Sequence, residues 1–90
     1  MVNKKYNSGR RLEYKIINFL RKQGYYCIRS AGSHGAIDIL AGNGEQLLAI
    51  QAKKRKNITK KEKEELKKSA DLLQAHAVIV DKDLQFIYDF

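Results

Sequence analysis

A dipeptide, Asn43-Gly44, separates two apolar segments that each have the length of a β-strand. The segments are AIDILAG, residues 36–42, and EQLLAIQAK, residues 45–53. Asn-Gly between such segments is the strongest short-range signal for a β-hairpin, because both residues tolerate the positive φ that a tight turn requires. The sequence therefore predicts a hairpin with a two-residue turn, in which Asp38 lies opposite Ala49.

Two further segments have helical patterns. Apolar residues at helical spacing predict a first helix from about Arg10 to Gln23, and Gly24 is a typical C-terminal stop. Thr59, followed three residues later by Glu62, has the capping-box pattern that begins a helix. The predicted buried residues of this second helix are Leu66, Ala70 and Leu73.

The remaining predicted strands lie on either side of the hairpin and the second helix. They are YYCIRS (residues 25–30), AVIV (Ala77–Val80) and LQFIYDF (Leu84–Phe90). The resulting order α-β-β-β-α-β-β predicts an α/β fold, in which helices pack against a mixed sheet. A chain of 90 residues has room for one domain, so we assign residues 1–90 to a single unit.

Polar residues occupy unexpected positions in the predicted hairpin. Because side chains alternate between the two faces of a strand, Asp38 shares a face with Ala49, Gln51 and Lys53. The hairpin has apolar residues on both faces, so both faces are expected to be covered. A carboxylate buried there is unfavourable unless it is paired or binds a metal.

This grouping has two interpretations. Asp38 and an oxygen from Gln51, together with an acid from a packed helix, would bind Mg²⁺ or Mn²⁺ through hard oxygen ligands. Glu13 is the candidate third ligand, because it lies at the edge of the apolar stripe of the first helix. Lys53 would then act on the attacking water or on developing charge. The alternative is a structural salt bridge between Asp38 and Lys53.

The charge of the chain indicates a polyanionic partner. Eighteen Lys and Arg residues against ten Asp and Glu give a net charge of +8. Such a basic domain is typical of nucleic-acid binding, although a highly charged thermophile-like surface is an alternative. We expect neither a membrane span nor membrane binding, and the absence of an apolar leader predicts a cytoplasmic protein. The single cysteine, Cys27, is expected to fill the core.

Several short motifs together resemble a known family. A helical Glu four residues after a Gly stands at Gly9 and Glu13, and the words RSAGS and AGNG stand at residues 29–33 and 41–44. With Asp38 and Lys53 at the expected places, the segment from Gly9 to Lys53 resembles the archaeal-type Holliday junction resolvases of the PD-(D/E)xK nuclease superfamily. The resemblance covers about half of the 90 residues.

The resemblance implies a fold, an activity and roles for residues. It implies the restriction-endonuclease-like fold, with a mixed sheet of about five strands flanked by helices. It also implies a homodimer that cuts two opposed strands of four-way junction DNA with Mg²⁺, for which Mn²⁺ would substitute. Glu13, Asp38 and Gln51 would hold the metal, and Lys53 would serve the nucleophilic water. The residues implied to hold phosphates are Arg29, Ser30 and Ser33.

Two residues depart from the family pattern. Gln51 stands where the family usually has an acid, and an uncharged amide oxygen is expected to bind Mg²⁺ more weakly. Tyr14 stands where relatives tend to have Arg, which removes one expected phosphate contact. We interpret Gln51 as weakened or natural variation, but two alternatives stay open. One is a non-catalytic junction-binding protein derived from a nuclease, and the other is a related restriction or repair nuclease.

Further basic residues are predicted to contact DNA. Arg10 and Arg11 precede the first apolar residue of the first helix, where the alternative is a solvated terminus. The segment KKRKNITKK follows directly after the predicted catalytic strand. His34 lies in the glycine-rich loop before Asp38, where it would either contact a phosphate or be an exposed loop histidine. The residues of the basic segment assigned to DNA are Lys54, Arg55 and Lys56.

Overall fold

The computed structural model describes residues 4–30, 35–54 and 58–88, with the backbone alone for residues 4–9. The helices and strands follow the predicted order α-β-β-β-α-β-β. The helices are α1 (Lys4–Lys22) and α2 (Lys60–Leu72). The strands are β1 (Tyr26–Arg29), β2 (Ile39–Gly42), β3 (Leu47–Lys53), β4 (His76–Asp81) and β5 (Phe86–Ile87).

The five strands form one mixed sheet in the order β1-β2-β3-β4-β5. Neighbouring strands are antiparallel except for β3 and β4, which are parallel. Two parallel neighbours require a crossover connection, and α2 supplies it. The fold prediction of a mixed sheet with flanking helices is therefore confirmed.

Helix α1 covers one face of the sheet. Its buried residues pack against alternate residues of β2, β3 and β4 and against Cys27, which is buried as predicted. The helix begins at Lys4, six residues before the predicted start, because its first turns lack the apolar periodicity on which the prediction rested. Gly24 ends the helical turn with a φ of 93°, as predicted for a C-terminal stop. The buried residues of α1 are Leu12, Ile16, Ile17 and Leu20.

Helix α2 covers the opposite face. Thr59 Oγ1 accepts a hydrogen bond from the Glu62 N–H at 3.1 Å, and the Glu62 side chain reaches back to the Thr59 N–H, which confirms the predicted capping box. Leu66 and Ala70 are buried as predicted. Leu73 is 46% exposed, so the prediction that it is buried was wrong. The helix ends at Leu72, and the next residue therefore leaves the buried stripe.

The hairpin turn lies one residue later than predicted. The ladder pairs Leu40 with Ala49, so the predicted pairing of Asp38 with Ala49 was wrong. Gly44 and Glu45 are the central residues, because the Asn43 N–H donates to the Gln46 carbonyl at 3.2 Å. The Asn43 side-chain oxygen accepts hydrogen bonds from the N–H groups of Glu45 and Gln46, both at 2.9 Å, which sets the position of the turn. The register shifts by two residues, so every side chain keeps its predicted face.

The C-terminal strand is shorter than predicted. Strand β5 contains Phe86 and Ile87 alone, and Asp89 and Phe90 lie outside the described residues. The turn before it is stabilised by Asp81, whose Oδ1 accepts from the N–H groups of Asp83 and Gln85 at 2.9 and 3.0 Å. Within the described part of the chain, neither helix combines the length and apolar character that a membrane span requires.

Candidate active site

Asp38 directly precedes β2, and backbone hydrogen bonds fix it between the two neighbouring strands. Its N–H donates to the carbonyl of Ile50 at 2.8 Å, and its carbonyl accepts from the N–H of Ser30 at 2.8 Å. Its carboxylate oxygen Oδ2 accepts from the N–H of Ala52 at 2.9 Å. The backbones of β1 and β3 therefore fix both the position and the orientation of this carboxylate.

Gln51 lies on β3 with its side chain toward the same face as Ala49. Extending the hairpin register by one pair places Gln51 directly opposite Asp38, whereas the sequence predicted a diagonal neighbour. The Oε1 atom of Gln51 is a buried side-chain oxygen without a hydrogen-bond partner among the described residues. An unsatisfied buried acceptor of this kind costs roughly 1–3 kcal/mol, so this oxygen is suited to a ligand that the protein does not itself supply.

Lys53 ends β3 and forms an ion pair with Glu62 of α2. The sequence offered an Asp38–Lys53 salt bridge as the alternative, but the Lys53 ammonium pairs with Glu62. The hydrogen bond from Lys53 lowers the pKa of the Glu62 carboxyl, and hydrogen bonds from Thr59 add to this effect. The Lys53 side chain is 28% exposed. A contact with α2 thus holds the ammonium at the end of β3.

Glu13 lies on α1, the helix that covers the face of the sheet opposite to α2. Its Oε1 accepts a hydrogen bond from the Arg29 guanidinium at 3.1 Å, and both side chains are about one-fifth exposed. The same guanidinium lies over the ring of Tyr14, 5.4 Å from the ring centre. Glu13 therefore lies at the edge of the core, as its place in the helical pattern predicted.

The electrostatics of Asp38 connect these side chains. Burial raises the pKa of the Asp38 carboxyl, and the negative charge of Glu13 raises it further. The hydrogen bond from Ala52 and the positive charge of Lys53 oppose this increase in pKa. Because Asp38 is influenced by both Glu13 and Lys53, the candidate carboxylates and the ammonium occupy one electrostatic environment.

The oxygen atoms of this site suit a divalent cation. Glu13 and Asp38 supply carboxylates, and Gln51 supplies a carbonyl oxygen that lacks a partner. Within the described residues, no three His, Cys, Asp or Glu side chains group together as a metal site, and the Gln51 amide is the candidate for a third oxygen. A cation would relieve the repulsion between the two carboxylates and satisfy the buried oxygen. Hard oxygen ligands of this kind are those that Mg²⁺ and Mn²⁺ prefer.

The predicted DNA-binding residues have different outcomes. Arg29 reaches the site through its contact with Glu13, and Ser30 lies next to Asp38 through its backbone hydrogen bond. Arg10 and Arg11 are exposed on α1, and Lys54 is exposed after β3. The residues that lie outside the described part of the chain are Ser33, His34, Arg55 and Lys56.

Two contacting residues were not predicted as part of the site. Glu62 was identified as a helix-capping residue but not as the partner of Lys53, and Tyr14 was identified as a lost arginine but not as the ring beneath Arg29. The short connection from Lys53 to Thr59 is the signal that could have indicated Glu62, because it brings the start of α2 to the end of β3.

Comparison with known proteins identifies the family. A sequence model described as "Archaeal holliday junction resolvase (hjc)" matches residues 4–82. This chain belongs to that family. The chain is also similar to the 1.6 Å structure of Archaeoglobus fulgidus Hjc, described as a Holliday junction resolvase from an archaeal hyperthermophile, with 36% sequence identity and a TM-score of 0.72. The match covers 82% of this chain and 63% of the other, so this chain spans less than two thirds of the length of its relative.

Family membership confirms the resemblance that the motifs between Gly9 and Lys53 indicated. The match to the solved resolvase structure also confirms the fold class, because strand and helix order agree with a resolvase fold. The family match extends to residue 82 and so includes α2 and β4, which had resembled the family in element order alone.

Proposed function

We propose that this protein is a homodimeric, Mg²⁺-dependent endonuclease that cuts two opposed strands of a four-way DNA junction. One observation supports the proposal most: the unpartnered, buried oxygen of Gln51 lies opposite Asp38, whose carboxyl is influenced by the charges of Glu13 and Lys53. The solved relative is described as a Holliday junction resolvase, which supports this choice of substrate.

Glu13, Asp38 and Gln51 would hold the Mg²⁺, and Mn²⁺ would substitute for it. A divalent cation bound there would lower the pKa of its bound water and neutralise charge on the phosphate. The backbone fixes Asp38 through its hydrogen bonds, so this carboxylate meets the cation already oriented. The Gln51 amide contributes an oxygen without charge, so we expect weaker metal binding than with a third carboxylate.

Lys53 and Arg29 would act on the DNA. The Lys53 ammonium would orient the attacking water or stabilise the negative charge that develops on the phosphate. Arg29, with Ser30 beside it, would hold a neighbouring phosphate. Water forms a new bond to phosphorus, one bridging P–O bond breaks, and a proton from the water ends on the leaving oxygen.

Junction preference would come from a dimer. Two sites at a fixed separation and a net charge of +8 on each chain suit bent duplex arms, which the protein would bind through phosphates without reading base edges. The proposal implies that the protein acts in the cytoplasm, where chromosomal DNA lies.

Large apolar side chains exposed at the end of α2 support self-association. Leu72 is 82% exposed and Leu73 is 46% exposed, although both are large and apolar. Sedimentation equilibrium should give twice the chain mass of 10.4 kDa. A double change, Leu72→Gln with Leu73→Gln, should shift the species toward the monomer, and a wild-type monomer at micromolar concentration would contradict the dimer.

A cleavage assay tests the proposal directly. Purified protein is incubated with a labelled four-way junction and with a duplex of the same sequence, in Mg²⁺, in Mn²⁺ and in EDTA. We expect symmetric nicks on the junction and almost none on the duplex. Lys53→Ala should reduce cleavage by at least about 100-fold and leave junction affinity nearly unchanged. Equal cutting of duplex and junction would instead support a related restriction or repair nuclease.

One observation favours a second candidate function, a non-catalytic junction-binding protein. The site contains two carboxylates and a neutral Gln51 where the family usually has an acid. This alternative predicts tight, salt-sensitive junction binding without cleavage. Gln51→Glu separates the two candidates, because a rise from no cleavage to measurable cleavage supports the binding protein, whereas a change below about tenfold supports a working Gln51 site.

A further inference from the structure

A basic groove lies beside the candidate active site, between the outer surface of α1 and the turn that joins β4 to β5. Its volume is about 620 Å³, and its lining contains four cationic residues and no acidic residue. Leu84 from the β4–β5 turn forms part of the opposite wall. The cationic residues of the groove are Arg10, Arg11, Lys15 and Lys22.

The positive charge of this groove comes from α1, which is far more basic than α2. The sequence of α1 contains seven basic residues and one acid, whereas that of α2 contains five basic residues and four acids. The single acid of α1, Glu13, binds Arg29 and does not line the groove. Positive charge therefore accumulates on this side of the fold, as in a site for a polyanion.

The groove adjoins the candidate active site. Tyr14 lines the groove, and the guanidinium of Arg29 lies 5.4 Å from the centre of its ring. The groove extends from Arg10 to Lys22, twelve residues of helix or about 18 Å at 1.5 Å per residue. Each strand of a DNA duplex presents one phosphate about every 3.4 Å of helix axis, so several phosphates of one strand fit along this length.

One groove lysine is held in place by the opposite wall. Lys15 donates a hydrogen bond from Nζ to the carbonyl of Lys82 in the β4–β5 turn at 3.1 Å. This contact fixes a positive charge between α1 and the β4–β5 turn, next to Tyr14. Tyr14 stands where relatives tend to have Arg, and Lys15 places a cation beside that position.

We propose that this groove binds the sugar-phosphate backbone of one duplex arm of the DNA as that arm leaves the active site. The inference rests on the proposed function and deepens it, because it assigns a path to an arm beyond the scissile phosphate. Lys15 and Lys22 are the new contacts, and Tyr14 separates them from the reacting centre. Recognition would be through phosphates and therefore independent of sequence.

The test compares two double variants that remove the same charge. Lys15→Gln with Lys22→Gln removes two cations from the groove. Arg21→Gln with Lys68→Gln removes two exposed cations that do not line it. Affinity for a fluorescently labelled four-way junction is measured by anisotropy in EDTA, over a series of salt concentrations. Thermal denaturation of each variant establishes that the fold is intact.

We expect the groove variant to bind the junction at least about tenfold more weakly at 0.1 M salt. The slope of log K against log salt should fall in magnitude by about 1.8 for each groove that contacts DNA, since two phosphate contacts are lost. The control variant should change the slope by less than about 0.5. Equal weakening in both variants, or unchanged affinity in the groove variant, would overturn the inference.

The outcomes separate this inference from the proposed function. If the wild type cleaves junctions and the groove variant keeps its affinity and slope, the endonuclease proposal stands and the groove assignment fails. If the wild type binds junctions without cleaving them and the groove variant binds more weakly, the groove assignment stands and the endonuclease proposal fails. Tighter binding of single-stranded RNA than of the junction, with the RNA affinity lost in the groove variant, would also refute the groove assignment.

Discussion

Replacement of Gln51 by glutamate tests whether its buried oxygen faces a cation site. In metal-free buffer the new carboxylate would be buried opposite Asp38, whose pKa is already raised by burial and by the negative charge of Glu13. A buried acceptor without a partner costs roughly 1–3 kcal/mol, and a charged one costs more. We therefore expect Gln51→Glu to lower the free energy of unfolding by about 2 kcal/mol. At about 4–8 °C per kcal/mol for a domain of this size, the melting temperature should fall by roughly 8–16 °C.

Mg²⁺ should reverse this loss of stability. A ligand at 100 times its dissociation constant stabilises the folded state by about 2.7 kcal/mol, and a third carboxylate should bring Gln51→Glu closer to that limit than the wild type. The measurement is a melt followed by circular dichroism in EDTA and at increasing Mg²⁺. The expected result is a variant that is less stable than the wild type in EDTA and more responsive to Mg²⁺.

A matched control removes the general effect of an added negative charge. Gln23→Glu introduces the same change at an exposed residue after α1, where surface substitutions usually change stability by less than about 0.5 kcal/mol. If Gln51→Glu behaves like this control, with no loss of stability in EDTA and no Mg²⁺-dependent gain, then the Gln51 oxygen does not face a cation site. The proposed metal ligands would then be wrong.

Three further predictions concern stability and the orientation of Lys53. Because burial raises the pKa of the Asp38 carboxyl, the folded state loses stability as pH rises from the usual carboxyl pKa to the raised one, and the full loss remains at higher pH. Asp38→Asn should therefore raise the melting temperature in EDTA at pH 7, give no gain below the usual range of a carboxyl pKa, and abolish cleavage. Thr59→Ala removes the helix cap and should cost about 1 kcal/mol in a denaturant titration, with little effect on cleavage. Glu62→Gln keeps the capping-box pattern but releases Lys53, so it should slow single-turnover cleavage. Slower cleavage in Thr59→Ala and unchanged cleavage in Glu62→Gln would contradict the role of the ion pair. Leu66→Ala should cost about 2–5 kcal/mol in the same titration, and a cost below 1 kcal/mol would show that α2 does not pack as described.

Local patterns were sufficient for the part of the site that depends on strand and helix periodicity. The alternation of β3 placed Gln51 and Lys53 on one face, and the helical spacing of α1 placed Glu13 at the edge of the core. The predicted faces survived the misplaced turn, because a shift of the turn by one residue changes the register by two. The Asn43 side chain determined that shift, and its choice between two turns of equal length is not visible in the sequence pattern.

Local sequence patterns could not predict the contacts between helices and strands that are distant in the sequence. The pairing of Lys53 with Glu62 depends on where α2 packs, and a capping box accounts for Glu62 without any reference to the site. The exposure of Leu73 depends on where α2 ends, and helix ends are the least predictable feature of a pattern. The basic groove likewise requires α1 and the β4–β5 turn to be adjacent, which no local pattern records.

The two ends of the β2–β3 hairpin differ in what they contribute: the turn end contributes stability, and the other end holds the polar residues of the candidate site. Near the turn, Ala41 and Leu48 form a fully buried pair, and their burial stabilises the sheet without any polar group to satisfy. At the other end, Asp38 and Gln51 carry an elevated pKa and an unpartnered oxygen, both of which cost stability in the absence of a ligand. The same backbone ladder joins the two ends, so burial at the apolar end offsets the free-energy cost of the polar end. Substitutions near the turn should therefore change stability at constant cleavage rate per folded molecule, whereas substitutions at the polar end should change both stability and cleavage.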